Sequence, residues 1–287
     1  MKSRMDFVKY HGLGNDFIVI NDLAGGVELA RGVIAALCAR GKGIGADGLI
    51  LARRPLTAAD LAMGFYNSDG SEAEMCGNGI RCLAKFVHDE GLVAADPMFI
   101  ETGAGVREVR LVSEDGRVVG AEVDMGLPEL VRGRIPMLGA GDPLDEEIPV
   151  EHGTARVTCL SMGNPHCVLF VDDVETATVS VTGPELEVHG LFPERTNVEF
   201  AQVLDDAHMR LRVWERGVGE TLACGTGACA AFVAAQRRGL AGTEMTVTLP
   251  GGDLRLRLGD GGHVMMLGPA VEVYRGSVSE EWIRGLT

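Results

Sequence analysis

Apolar residues recur along this chain in a helical rhythm that occurs twice, each time followed by a strand rhythm. From Asn78 to Glu90, Ile80, Leu83, Phe86 and Val87 fall on one face of a helix that Gly91 ends. From Thr226 to Arg238 an alanine-rich stretch closes in Arg237-Arg238 and stops at Gly239, and basic residues followed by glycine suit a helix C-terminus. After each helix the period falls to two. Val106 to Leu111 and Arg117 to Met125 alternate about Asp115-Gly116, as Leu254 to Leu258 and His263 to Leu267 do about Asp260-Gly261. Both pairs predict hairpins. Periodicity fades in the Pro-, Gly- and acid-rich stretch from Gly126 to Gly153, where a domain boundary is expected.

The two rhythms belong to an internal repeat. Tyr66-Asn67-Ser68-Asp69-Gly70-Ser71-Glu72-Ala73-Glu74-Met75-Cys76-Gly77-Asn78-Gly79 aligns without a gap on Trp214-Glu215-Arg216-Gly217-Val218-Gly219-Glu220-Thr221-Leu222-Ala223-Cys224-Gly225-Thr226-Gly227, at an offset of 224 minus 76, or 148. Upstream, Gly14-Asn15 precedes Cys76 by 62 and 61 residues, and Gly163-Asn164 precedes Cys224 by 61 and 60. A shared register over so long a window predicts two similar α+β domains facing each other.

Composition narrows the class. A length of 287 residues suits two domains, and a formal net charge of -15 without a Lys or Arg run argues against a nucleic-acid partner. The 40 glycines point to many tight turns. The N-terminus has no apolar leader, and the longest apolar run, Ala228 to Ala235, is too short to span a bilayer, so a cytoplasmic protein without membrane contact is expected. Seven cysteines form an odd set with no CxxC pair, which fits neither a disulfide framework nor a zinc site, so no metal is expected.

Chemistry concentrates in the two CGxG segments. A cysteine just before a helix meets free N–H groups and the positive end of the helix dipole, a setting in which a thiol pKa can fall from about 8.5 to roughly 3.5–7.5. The following glycines let a ligand approach amides able to hold a carboxylate. Two such ends related by a pseudo-twofold would set two sulfurs on opposite faces of one carbon. A thiolate could then take its α-proton while a thiol returned one from the other side. No pyridoxal site is visible, since Lys2, Lys9, Lys42 and Lys85 lie in no Schiff-base context; no cofactor is expected, and the amide cradle must stabilise the carbanion. The remaining cysteines, Cys38, Cys82, Cys159, Cys167 and Cys229, read as small buried hydrophobes.

HGLGNDFIVIND, GIGADGLI, FYNSDGSEAEMCGNGIRC, SMGNPHC, RTNVEF and WERGVGETLACGTGACA, in this order, resemble the diaminopimelate epimerases over nearly the whole chain. The resemblance implies pyridoxal-independent conversion of LL- to meso-diaminopimelate, in lysine and peptidoglycan precursor synthesis. It implies two pseudo-symmetric halves, 1–127 with 272–287 and 128–271, each a mainly antiparallel, barrel-like sheet around a central helix. The active site would lie in the cleft between them, the last strand would return to the first half, and the protein would be a homodimer. Carried over by position, Cys76 and Cys224 are the acid/base pair, and His166 and Glu215 tune them. Asn15, Asn67, Asn164, Asn197, Glu215 and Arg216 bind the substrate, with Gly77-Asn78 and Gly225-Thr226 as the carboxylate cradle. One departure is Gly48, where some members carry a glutamine that contacts substrate. Two rival readings stand: a proline or hydroxyproline racemase-type enzyme, which lacks need of the polar set around Glu215-Arg216, and an amino-acid-binding or thiol-redox protein on the same scaffold.

Overall fold

The computed structural model describes residues 4–151 and 153–286, so that Lys2 and His152 lie outside the described residues. The chain divides into two units, Met1–Val123 with Gly268–Thr287, and Asp124–Leu267. In the first, β1 (Arg4–Gly12) and β2 (Asn15–Asn21) form an antiparallel hairpin whose turn residues, Leu13 (φ 59°) and Gly14 (φ 83°), both sit in the left-handed region that a two-residue hairpin turn requires. After α1 (Arg31–Cys38), β3 (Gly48–Arg53) lies parallel to β2, β4 (Leu61–Asn67) returns antiparallel to β3, and the two-residue β5 (Glu72–Ala73) folds back on β4. Then come α2 (Gly77–Asp89), β6 (Met98–Thr102) parallel to β4, and the hairpin of β7 (Gly105–Glu114) and β8 (Arg117–Asp124).

The second unit repeats that order. It holds β9 (Glu146–Val150), β10 (Gly153–Ser161), β11 (Pro165–Phe170), α3 (Val179–Glu187), β12 (Asn197–Val203), β13 (His208–Glu215), β14 (Gly219–Thr221), α4 (Gly225–Arg237), β15 (Glu244–Leu249), β16 (Gly252–Leu258) and β17 (Val264–Pro269). The pairings match strand for strand: β11 is parallel to β12 as β2 is to β3, and β13 is parallel to β15 as β4 is to β6. The last strand, β18 (Val271–Ser279), returns to the first unit and runs antiparallel to β1, taking the place that β9 holds beside β10; α5 (Glu280–Arg284) follows it. The duplicated, mixed α+β architecture read from the sequence is present, with parallel pairings of β2 with β3, β4 with β6, β11 with β12 and β13 with β15 among the described residues.

The paired helices lie inside their units. α2 packs against β1, β2, β3, β7 and β18, and α4 against β10, β11, β12, β15 and β16. Gly77 and Gly79 in the first turn of α2 cost about 1 kcal/mol each in helix propensity. Burying Ile80, Leu83, Phe86 and Val87, at about 1.5–3 kcal/mol for each large apolar side chain, outweighs that cost. The alanines of α4 lie buried, and their small side chains let strands close around it. Gly91 (φ 63°) and Gly239 (φ 70°) follow the helix ends in the left-handed conformation.

Two regions add detail to these expectations. The stretch from Gly126 to Gly153 is not a bare connector: Ile135, Met137 and Ile148 enter one core with Phe192 and Phe200, and β9 joins the sheet. Its apolar residues are too irregularly spaced to show a period. The link about Asp260-Gly261 is also longer than a two-residue turn, because a 3-10 turn spans Asp260–Gly262 and β17 begins at Val264. No helix among the described residues is long and apolar enough to cross a membrane.

Helix α3 anchors the segment that carries Glu215 and Arg216. Its Glu187 carboxylate accepts from Trp214 Nε1–H at 2.8 Å and from the Gly217 amide at 2.9 Å. Gly183 lets the Trp214 side chain approach the helix closely, since a Cβ there would stand 2.8 Å from Trp214 Cβ and Cγ. Gly183→Val is therefore expected to cost about 1–3 kcal/mol, the usual scale of overpacking. It should lower the thermal midpoint and shift the tryptophan emission; an unchanged midpoint and spectrum would count against this anchoring.

Candidate active site

Each CGxG cysteine is the N-cap of a thirteen-residue helix. Cys76 (φ -139°, ψ 117°) precedes α2 and Cys224 (φ -124°, ψ 110°) precedes α4, both in extended conformation, and each carbonyl accepts the first helical hydrogen bond, from Ile80 or Ala228. The helix starts therefore fall one residue before those read from periodicity, at Gly77 and Gly225.

In the first unit the hairpin turn brings Asn15 to the α2 cap. Asn15 Oδ1 lies 3.7 Å from Cys76 Sγ and accepts from Asn78 Nδ2 at 3.3 Å, while its Nδ2 donates to Asp47 Oδ2 at 3.1 Å. Behind it stands a charge cluster in which Asp16 pairs with Lys9 at 2.6 Å and with Arg40 at 2.7 Å, and Arg40 also reaches Asp47 at 2.7 Å. Burial alone would raise the Asp16 carboxyl, but hydrogen bonds from Arg40 and Lys9 hold it below the usual carboxylate range. Asn67 lies at the exposed end of β4, paired with Gly48 in the ladder, and its Nδ2 donates to Ser71 Oγ at 3.0 Å.

In the second unit Asn164 and His166 meet. His166 Nε2 is 2.9 Å from Asn164 Oδ1, and Nδ1 is 2.7 Å from Glu199 Oε1, with His166 and Glu199 both closed to solvent. Both ring nitrogens are thus occupied inside this unit. Cys224 Sγ lies 3.6 Å from the Thr226 hydroxyl. Glu215 accepts from Thr221 Oγ1, and Arg216 NH1 donates to the Glu194 carbonyl at 3.0 Å. Asn197 is 3% exposed; its Nδ2 donates to the Pro165 carbonyl at 2.9 Å and its Oδ1 accepts the Arg216 amide at 3.0 Å, so its amide is engaged within the protein.

The expected lowering of the thiol pKa does not hold at Cys224. Burial, then the nearby Glu215 and Glu199 carboxyls, push its thiol well above the ordinary range, and the Thr226 hydroxyl and Gly227 amide oppose this without reversing it. The helix end favours a thiolate, but desolvation of a fully buried sulfur outweighs it.

The diaminopimelate epimerase family profile matches residues 7–131 and 158–273. The chain belongs to the diaminopimelate epimerase family. It is similar to the diaminopimelate epimerase of Moorella thermoacetica, 54% identical over 95% of this chain and 98% of the relative, and to that of Methanococcus maripaludis, 45% identical over 96% and 99%. Among solved structures, a hydroxyproline epimerase from Agrobacterium vitis shares the fold at a TM-score of 0.72 and 16% identity, covering 97% of this chain and 93% of that one.

Within this member of the family, Gly48 is closed to any side chain. A Cβ there would stand 2.7 Å from the Tyr66 carbonyl oxygen and 2.9 Å from the Phe65 ring. Three residues went unread in the sequence although they lie in the matching blocks. Arg81 is wholly buried and donates to the Gly77 carbonyl and Asn78 Oδ1, each at 3.0 Å, and to the Pro269 carbonyl at 3.2 Å. Asp47 holds the Asn15 amide. Glu199 could have been found from RTNVEF, where it falls on the same strand face as Asn197. The five cysteines read as structural, Cys38, Cys82, Cys159, Cys167 and Cys229, are buried.

The raised Cys224 thiol has a direct readout. In the ligand-free protein, alkylation of Cys224 by iodoacetamide should climb about tenfold per pH unit from pH 7 through 9, because only the thiolate reacts. Peptide mass spectrometry follows it, and a plateau below pH 9 would contradict the assignment.

Proposed function

We propose that this chain interconverts LL- and meso-diaminopimelate by a two-base reaction at one α-carbon. The observation that carries the reading is the pair of cysteines capping equivalent helices in equivalent units of a member of the diaminopimelate epimerase family. One sulfur, as thiolate, takes the α-proton; the C–H bond breaks and its electron pair passes into the substrate carboxylate as an enediolate. The other sulfur, as thiol, delivers its proton to the opposite face, and the enediolate electrons re-form the C–H bond. The thiolate and thiol have then exchanged roles, so each cysteine serves as base for one isomer. Charge on the intermediate is held by amides at the helix starts, Gly77-Asn78 and Gly225-Thr226. The reaction balances without an electron sink beyond the carboxylate.

Asn15 and Asn164, one beside Cys76 and one beside His166, bind the reacting centre, while Glu215, Arg216 and Asn67 read the distal ammonium and carboxylate. Asn197 serves this set by holding the Arg216 backbone, and Glu215 also acts on Cys224 through its charge. The two units correspond to the two halves of the enzyme. The protein works in the cytoplasm as a homodimer, and the exposed apolar Val271, Val273 and Tyr274 of β18 suit a contact between copies.

In deuterated water under reducing conditions, diaminopimelate should gain α-deuterium and proline should not. Cys76→Ala and Cys224→Ala should each lower epimerisation at least about a hundredfold, the scale of losing one general acid or base. Full activity in either variant, or exchange with proline alone, would overturn the reading. Light scattering should give twice the 30.4 kDa chain mass; a monomer at micromolar concentration would remove the dimer.

A further inference from the structure

The two units are equivalent in topology but not in what lies beneath their reactive cysteines. In the first unit β2 and β3 pair Phe17 with Gly48 and Val19 with Ile50; in the second, β11 and β12 pair His166 with Asn197 and Val168 with Glu199. Phe17 and Ile50 therefore hold the places of His166 and Glu199. The helix starts report the same substitution independently. A Cβ on Gly79 would meet Ile50 Cδ1 at 3.1 Å, whereas a Cβ on Gly227 would meet Glu199 Oε1 at 2.8 Å and Cys224 Sγ at 3.3 Å. An apolar contact in one half is a buried His–Glu pair in the other, and one oxygen of that carboxyl, Oε2, has no hydrogen-bond partner.

Such a pair is expensive to bury and contributes little as packing compared with Phe and Ile. Its geometry gives it a use. A carboxamide oxygen only accepts, so His166 Nε2, 2.9 Å from Asn164 Oδ1, carries a hydrogen. His166 Nδ1 and Glu199 Oε1, 2.7 Å apart, then share one proton, and the pair is neutral overall whichever atom holds it. The ring is locked in one orientation, and it turns the Asn164 oxygen inward and its NH2 group away. At the equivalent Asn15 the opposite holds. There Asp47 takes the NH2 group at 3.1 Å, and the oxygen faces Cys76 and Asn78.

We propose that Glu199 is a positioning residue which, through His166, fixes the Asn164 amide as a donor while Asp47 fixes Asn15 as an acceptor, so that two equivalent asparagines present opposite polarity to an amino-acid substrate. The inference rests on the proposed role of both asparagines in binding the reacting centre. The helix-start amides of both halves hold the carboxylate, and the opposed asparagine amides add a second distinction, the donor facing carboxylate and the acceptor facing ammonium.

The test compares Glu199→Gln, which can still donate to Nδ1, with Glu199→Ile, which copies the other half. Long-range proton–nitrogen NMR of His166 should show Nε2 protonated in the ligand-free wild type and in Glu199→Gln, and lost as the single form in Glu199→Ile. Steady-state kinetics should leave Glu199→Gln within threefold of wild type. Glu199→Ile should lose about ten- to hundredfold in kcat/KM, the scale of removing an outer partner of a functional histidine, with the larger change in KM. A wild-type ring with a bare Nε2, a Glu199→Ile enzyme that keeps its KM, or a Glu199→Gln enzyme as impaired as Glu199→Ile would overturn the proposal. If Glu199→Ile does not melt cooperatively, the wild-type tautomer and Glu199→Gln decide. Failure of the proposed function itself shows differently, as a wild-type protein inactive on diaminopimelate whatever the state of the ring.

Discussion

A thiol fixed at the N-cap of a buried helix is the constraint from which the rest of this structure can be understood. The position supplies what a proton-transferring sulfur needs: helix-start amides ahead of it, a dipole pointing at it, and a backbone that cannot drift because the helix is enclosed by strands. It also dictates the residues around it. The third residue after the cysteine is glycine in both units, where a side chain would crowd Ile50 in one and Glu199 in the other. The strand beneath the helix start must end beside a tight hairpin, which Leu13-Gly14 provides in the left-handed region. Left-handed leucine is uncommon, and such strain persists where the surrounding structure over-determines it.

The opposing influence is desolvation. A helix end lowers a thiol pKa, burial raises it, and at Cys224 burial prevails with two carboxyls adding to it. A resting thiol there agrees with a two-base reaction, which needs one sulfur protonated at the outset. Duplication gave the protein two equivalent frames, and a reaction with a directional substrate then requires that they differ. The Phe17–Ile50 and His166–Glu199 pairs sit at the same ladder positions and carry that difference.

Much of this was legible in the sequence. The repeat was readable because its two copies share one register through the cysteines, and the helices because apolar residues with terminal glycines leave a strong period. Cys76, Asn15 and Asn78 do meet, as do Asn164 and His166. The segment from 126 to 153 was harder, since Ile135, Met137 and Ile148 enter the core singly and without rhythm. The Cys224 pKa was missed because the helix end is visible in sequence, whereas burial and the approach of Glu199 from a strand are tertiary facts. The Asn197 amide ties Pro165 to Arg216, a contact that no spacing encodes. The return of β18 beside β1 came only through family resemblance, because nothing local distinguishes a strand that crosses to another unit.

The central claim is that sulfurs from the two units act on opposite faces of one carbon. A crystal structure with diaminopimelate bound to the reduced protein tests it most directly. The account requires Cys76 Sγ and Cys224 Sγ on opposite sides of the same α-carbon, each at roughly 3–3.5 Å, the separation of reacting atoms poised for transfer. A closed complex in which that carbon touches one sulfur, with the other distant or on the same face, would contradict it.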